Sequence, residues 1–382
     1  VFILGALCSR LFFGGAIDKV GRGRVLVACM TGEVACTLLY LAFEHVPAIG
    51  VFIVLRFLHG AFYGLSQTTV TSIVSSAVPF SRKGEGVGYY MLSVTLGAAL
   101  GPLMGSAFSN SSNFDMLFIA CLGMIAVGYI AAIGVVLPGR KQRAETSGAK
   151  RAGATNAAAS AALAGTAGEA GTEDCDGSRD SNKPAKKQKL SLANFIEVRA
   201  LPVSIAIMVG YLAYGTLITY INPYAAEVGL TGAANFFFVS YSIAMFVTRP
   251  FTGRWFDSAG DKGIMTLGFV CLGVSMLIMG IAQNGAMLLV SAALAGVGVG
   301  SVQPNGLVLA MRRSPDERLT AANSTYFVLL DVAIGLCPFL VGWIAPAFGY
   351  RALFLVMVPV VAASYIVYMV FRRAGLIATR KK

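Results

Sequence analysis

The sequence is a row of apolar segments, each about as long as a bilayer is thick, and that row constrains the fold more than any other feature. A membrane-crossing helix needs ~20 predominantly apolar residues. Eleven stretches qualify, near 1–15, 25–43, 47–76, 87–108, 115–137, 200–224, 233–253, 264–283, 286–311, 319–345 and 350–371. Several contain Gly or Pro, which membrane helices tolerate where neighbours satisfy the backbone. Composition points the same way. Hydrophobic residues make up 56% of the chain and charged residues 13%, the latter about half the usual ~25%. A single soluble core stops growing near ~250–300 residues, so 382 residues this apolar exclude an ordinary soluble enzyme, a disordered chain and a collagen. A polytopic all-α membrane protein is expected. Its 44 glycines suit that class, because small residues let membrane helices approach closely.

The row is interrupted once. From Arg140 to Lys189 the chain is rich in Ala, Gly, Ser, Thr, Lys and Asp, and 138–197 reads as a flexible linker. Its Lys183-Pro-Ala-Lys-Lys-Gln-Lys189 run is a basic stretch beside a membrane rather than a nucleic-acid patch. Lys and Arg set the orientation. Of 30 basic residues, Arg10, Arg56, Arg199 and Arg249 fall in or at spans and Arg351 on one set of alternate connections. All the others lie on the opposite set, the linker or the C-terminal tail. Those are cytoplasmic by the positive-inside rule, and the net charge of +12 is mostly a topology signal.

Seven cysteines without a CxxC and two histidines, His45 and His59, suggest neither a disulfide framework nor a metal site. A P-loop GxxxxGK[ST] is absent from the sequence, so ATP hydrolysis by this chain is not expected.

The chain repeats itself. Arg10, Phe12, Gly14, Asp18 and Gly21 match Arg249, Phe251, Gly253, Asp257 and Gly260 at an offset of 239. Gly64, Gln67, Arg82, Tyr90 and Pro102 match Gly300, Gln303, Arg318, Tyr326 and Pro338 at an offset of 236. Both copies of the first block end a span on the same side, which makes the repeat parallel, about an axis normal to the membrane. The span at 200–224 has no partner one repeat earlier. The chain is therefore expected to begin inside the second of twelve helices, with the first helix lost.

The block Gly14-Gly-Ala-Ile-Asp18-Lys-Val-Gly21-Arg22-Gly-Arg24 resembles the loop signature between helices 2 and 3 of the major facilitator superfamily. Its weaker echo at Gly253–Lys262 resembles the matching loop between helices 8 and 9. Arg56-Phe-Leu-His59-Gly60 resembles the helix-4 arginine motif, with His59 where glutamine is usual. Gly97-Ala-Ala-Leu-Gly101-Pro102-Leu-Met-Gly105 resembles the helix-5 motif associated with antiporters, with Ser106 at its last glycine. The resemblance covers the whole chain except the linker. It implies two six-helix bundles related by a pseudo-two-fold axis: 1–137 as the N-terminal bundle, 138–197 as the cytoplasmic linker, and 198–382 as the C-terminal bundle with its basic tail.

The resemblance also implies a conformational gate, in which Asp18 and Asp257 each pair with arginines or a helix N-terminus across the half, lock the outward-facing state, and release when the halves rock. Gly21, Arg22 and Arg24 share that loop. Arg10 and Arg249, near the same helix ends, belong to the inner gate by the same resemblance, although snorkelling is a sufficient account of them. Other candidates follow from depth. Arg56 lies ~15 Å into its span at 1.5 Å per residue, and a midplane arginine is costly enough to be a functional hypothesis by default. His59, at i+3, shares its face and suits proton exchange. Asp331, ~18 Å from the cytoplasmic end, and the shallower Glu33 are candidate proton carriers. Gln67, Gln303, Asn305 and Tyr214 are polar groups that can line a cavity. Gly97, Gly101 and Gly105 fall on one helix face, with Pro102 able to bend the helix. They read as a hinge and seal, or as generic small-residue packing.

The expected function is proton-coupled secondary transport by alternating access, as an antiporter exporting small molecules such as drugs or metabolites. The alternatives are a proton symporter taking up a sugar or organic acid, and a non-transporting sensor or scaffold acting through 138–197. An integral membrane enzyme needs convergent catalytic groups, and the sequence shows no such set. Expected partners are a small-molecule substrate, protons and the lipid bilayer, without nucleic acid, metal or cofactor. A monomer is expected, in a bacterial plasma membrane with its C-terminus cytoplasmic.

Overall fold

The computed structural model of the protein describes residues 1–14, 17–43, 49–79, 82–109, 115–134, 196–315 and 318–377. The side chains of Asp18, Thr95 and Pro102 lie outside that description, as does nearly all of the 138–197 segment. The chain divides into a main unit, Val1–Ala126 with Leu192–Lys382, and a second unit, Val127–Ser191. Every regular element among the described residues is helical. Before the undescribed segment come α1 (Phe2–Phe13), α2 (Ile17–Val20), α3 (Arg22–Phe43), α4 (Ile49–Ala77) and α5 (Lys83–Ser109), then α6 (Asp115–Gly134). After it come α7 (Leu201–Glu227), α8 (Thr231–Ala234), α9 (Phe237–Ala259), α10 (Asp261–Ile281), α11 (Gly285–Arg312), α12 (Leu319–Val341) and α13 (Ile344–Arg373).

Each of the eleven apolar stretches coincides with a helix. Nine of these are long and apolar enough to cross a membrane among the described residues. The other two are α5, of 27 residues, and α1, of 12. Local chemistry places several ends. The Asn284 side chain caps α11 by accepting from the Met287 amide at 2.9 Å. Pro202 sits in the first turn of α7, where no amide donor is needed. Gly349, at φ 81°, breaks the last element between residues 344 and 350, where the sequence pattern also ends one span and starts the next.

The internal repeat is visible in the packing. Helix α4 packs on α1 and α3 as α11 packs on α9 and α10. Between the halves, α5 lies on α9 and its counterpart α12 lies on α1. The correspondence reaches individual atoms. A Cβ at Gly60 would stand 2.0 Å from the Phe2 carbonyl oxygen, and one at Gly296 2.1 Å from that of Tyr241. Gly296 is Gly60 displaced by 236, and Tyr241 is Phe2 displaced by 239. Backbone touches backbone at both places because neither glycine has a side chain.

The inner face of α4 is polar. Thr68, Thr69, Thr71, Ser72 and Ser75 are all buried, and each hydroxyl donates to the carbonyl four residues back, at 2.6–2.9 Å. The helix thus satisfies its own hydroxyls, so this strip is buried without unmet polar groups.

Candidate functional site

Among the described residues two seams join the halves, α1 and α4 against α12, and α5 against α9. On the first, α1 and α4 face α12. Arg10 is 1% exposed, and each of its three guanidinium nitrogens donates to a different acceptor. Nη1 forms an ion pair with Asp331 of α12, Nη2 donates to Gln67 Oε1 of α4 at 2.5 Å, and Nε donates to the Gly64 carbonyl at 3.1 Å. The guanidinium also lies 5.1 Å from the centroid of the Phe327 ring. Asp331 is twelve residues into α12, ~18 Å along it, near the middle of a ~30 Å hydrocarbon core. A charged, hydrogen-bonded pair at that depth therefore links helices of different halves.

The same seam continues toward the end that carries the basic loops. Ser324 Oγ donates to the Arg10 carbonyl at 3.2 Å, and Asn323 Nδ2 to Ser72 Oγ at 3.2 Å. Arg22 reaches Thr320 Oγ1 at 3.3 Å and the Ser72 carbonyl at 3.4 Å. Arg24 is exposed on the first turn of α3. Gly21, at φ 102°, and its repeat partner Gly260, at φ 90°, both take a positive φ just before the following helix, a conformation that favours glycine. Asp18 belongs to α2, but its side chain lies outside the described residues.

On the second seam α5 meets α9. Asp257 Oδ2 accepts from the Glu85 amide in the first turn of α5, at 3.0 Å. Its Oδ1 accepts from Arg312 Nη2 at 2.9 Å. Arg254 bonds the Glu85 carboxylate at 3.2 Å. A carboxylate at a helix N-terminus with an arginine behind it is favourable on both counts. The two loop copies then diverge. Arg22 crosses to the other half, whereas its repeat partner Asp261 stays in its own, bonded to Tyr368 at 2.5 Å and Arg372 at 2.7 Å.

The remaining candidates are not gathered at this pair. Arg56 is exposed, with its guanidinium 5.0 Å from the Phe2 ring centroid. It helps line a cavity of ≈ 370 Å³ with Val1, Tyr40, Ile49, Phe52, Ile53 and Phe118. His59 stands edge-on to Phe2 at 5.5 Å and beside Tyr40 at 5.7 Å. Glu33 is buried between α3 and α4 and accepts from Ser66 Oγ at 2.5 Å. Asn305 is buried and donates to the Ser301 carbonyl of its own helix at 2.8 Å. Gln303 accepts from Tyr326 through its backbone carbonyl at 2.7 Å. Tyr214 stacks into a row, 4.8 Å from Tyr211 and 6.2 Å from Tyr241. A Cβ at Gly97, Gly101 or Gly105 would meet nothing within 4 Å among the described residues. Arg249 is buried on α9 and forms no ion pair among the described residues.

Sequence reasoning did not single out Glu85, Arg312 or Asp261. Arg312 counts among the basic loop residues that set topology, and Glu85 follows a basic pair. The acidic first turn of α5 and the acid after Gly260 are the signals that point to them.

The comparisons agree with this architecture. A sequence model described as Major Facilitator Superfamily matches residues 1–240 and 203–380. The chain belongs to that superfamily, and it is a multi-pass membrane protein. An uncharacterized MFS-type transporter of Burkholderia mallei (strain SAVP1) is 30% identical over 178 residues, 46% of this chain and 43% of that protein. One from Pseudomonas aeruginosa (strain LESB58) is 29% identical over 167 residues, 41% and 39% of the two chains. The chain thus spans well under half the length of the curated relatives it matches. Among solved structures, the proton:xylose symporter XylE superimposes with a TM-score of 0.66 at 14% identity, covering 97% of this chain and 84% of that one. The E. coli fucose:proton symporter gives 0.60 at 17%, covering 97% and 91%. The human organic anion transporter MFSD10 gives 0.64 at 15%, covering 96% and 81%. At these identities the likeness is one of fold.

Proposed function

We propose that this protein is a proton-coupled secondary transporter working by alternating access, and that the Arg10–Asp331 pair is its coupling element. The observation that carries the reading is a buried ion pair, with Gln67 as third member, linking helices of different halves near mid-membrane. With Asp331 ionised, the pair ties α1 to α12. A proton on Asp331 cancels an attraction worth about 4 kcal/mol at 4 Å separation and an effective dielectric of ~20. Arg10 keeps Gln67 and the Gly64 carbonyl, so the seam loosens without abandoning the cation. Asp257 with Glu85 and Arg312, and Asp18 with Arg22 in the other copy, act as cytoplasmic latches that break when the halves rock. Gly97, Gly101, Pro102 and Gly105 form the helix-5 hinge.

Export in exchange for protons is the direction we favour, on the likeness of that glycine–proline stretch to the antiporter motif. Uptake by proton symport is the second reading, favoured by the fold likeness to two proton symporters. The protein acts as a monomeric carrier in a bacterial plasma membrane, with residues 138–197 as a passive cytoplasmic linker, the C-terminus inside and the proton gradient as its energy source.

The test uses inverted membrane vesicles with an acid lumen and a panel of drugs, sugars, organic acids and metal chelates. Substrate-dependent proton loss from the lumen, abolished by Asp331→Asn, is the expected result. Unchanged coupling in Asp331→Asn overturns the role of the pair. Deleting residues 145–185 separates a carrier, which keeps its flux, from a scaffold, which loses its activity.

A further inference from the structure

Arg249 is the repeat partner of Arg10, yet it lacks the partners that Arg10 has. Both are equally buried, at 2% and 1% exposure. Both lie eight residues before the aspartate of their loop, ~12 Å of helix. Arg10 is matched by a carboxylate, an amide oxygen and a carbonyl. Among the described residues Arg249 has a sulfur contact, Nη2 to Met245 Sδ at 3.7 Å, and no acceptor for its Nε and Nη1.

The repeat shows why. Helix α5 is the counterpart of α12, and the place of Asp331 falls, 236 residues earlier, on Thr95. The carboxylate that pairs with Arg10 therefore has no counterpart at the equivalent position of the repeat. A buried guanidinium without an anion is among the least favourable groups a fold can keep, and five donors in a planar fork match a carboxylate in two-point geometry. Among the described residues, the ionisable groups acting on it are the phenols of Tyr211, Tyr241 and Tyr326. Tyr214 closes the row between Tyr211 and Tyr241. Phenols are neutral at physiological pH. They offer hydroxyl donors and flat apolar walls but no charge.

We infer that Arg249 is the docking point for the carboxylate of the cargo, which makes the cargo a small organic carboxylate held between α7, α9 and α12. The inference rests on the transporter reading and narrows its substrate class. One arginine then serves the fold through a built-in anion, and its repeat partner takes its anion from the substrate.

Thermal unfolding of the purified protein in detergent tests this with paired probes: benzoate, lactate and succinate against benzamide, lactamide and succinamide. At least one carboxylate raises the melting temperature while its amide does not. Arg249→Gln removes the response, and Arg249→Lys, which keeps the charge but loses the fork, weakens apparent affinity about tenfold or more. Without any ligand, Arg249→Met melts at or above the wild type, whereas Arg10→Met melts below it. The inference is overturned if no carboxylate shifts the wild type, if amides shift it equally, if Arg249→Gln still responds, or if Arg249→Met melts well below the wild type. Vesicle proton flux separates the two readings. Flux driven only by neutral or cationic compounds, and unaltered in Arg249→Gln, sinks the carboxylate while the transporter stands. Carboxylate binding that depends on Arg249 but drives no flux does the reverse.

Discussion

At the scale of single residues, burial decides what a charge costs and what its loss would do. Asp331→Asn leaves Arg10 buried with its anion removed, and breaking a buried pair from one side costs roughly 3–5 kcal/mol. The Arg10→Gln/Asp331→Asn double variant recovers part of that loss. A double-mutant cycle on thermal or denaturant unfolding should therefore give a coupling energy of at least about 1 kcal/mol; additive losses would mean that the pair is not formed in the membrane. Glu33 behaves differently, since its described partner is the Ser66 hydroxyl. Glu33→Gln keeps an acceptor there and should change stability by less than about 1 kcal/mol. Asp331 and Arg10 are each noticeable in the sequence, one by its depth and the other by its repeat, but their pairing across 321 positions is not. Arg56 is the converse case. Its depth in a span suggests a buried cation, yet the α4 face carrying Arg56, His59 and Tyr63 is met among the described residues by aromatic rings, Phe2 of α1 and Tyr40 of α3, and the guanidinium stays exposed.

At the scale of helices, glycine spacing alone does not say which surfaces are in contact. Gly60 with Gly64, Gly296 with Gly300, and Gly97 with Gly101 all repeat every four residues. A methyl group at Gly60 or Gly296 would collide with a neighbouring carbonyl oxygen at 2.0 or 2.1 Å. Gly60→Ala and Gly296→Ala should each destabilise the protein by about 1–3 kcal/mol, the usual range for overpacking. Their near equality is itself a test of the repeat. Gly97→Ala adds a methyl that meets none of the described residues, and the helix propensity of alanine should leave stability equal or higher by up to about 1 kcal/mol. Melting curves of the three variants check the set, and a Gly97→Ala loss as large as that of Gly60→Ala would refute it.

At the scale of the whole molecule, the two seams are the places where the halves hold each other. Asp257 accepts from the first turn of α5 and from Arg312, so Asp257→Asn weakens a latch without touching the Arg10 seam. Spin labels on the exposed residues Ser76 and Lys262 should then shift to longer separations, reporting a larger fraction of molecules opened at the basic-loop end. An unchanged distance distribution would remove Asp257 from the latch.

The sequence by itself determined the eleven apolar spans, the gap between the last two of them, the two-fold repeat and the family. Each of these depends on local hydropathy, on the length needed to cross a bilayer, or on self-similarity that can be read along the chain. Only the tertiary structure decided which of two equivalent arginines carries its own anion and which glycines are pressed against a neighbouring backbone. Those outcomes depend on the register of one helix against another hundreds of residues away. A single turn of slip would exchange a carboxylate for a methyl group opposite the same guanidinium, and no pattern within one helix records that register.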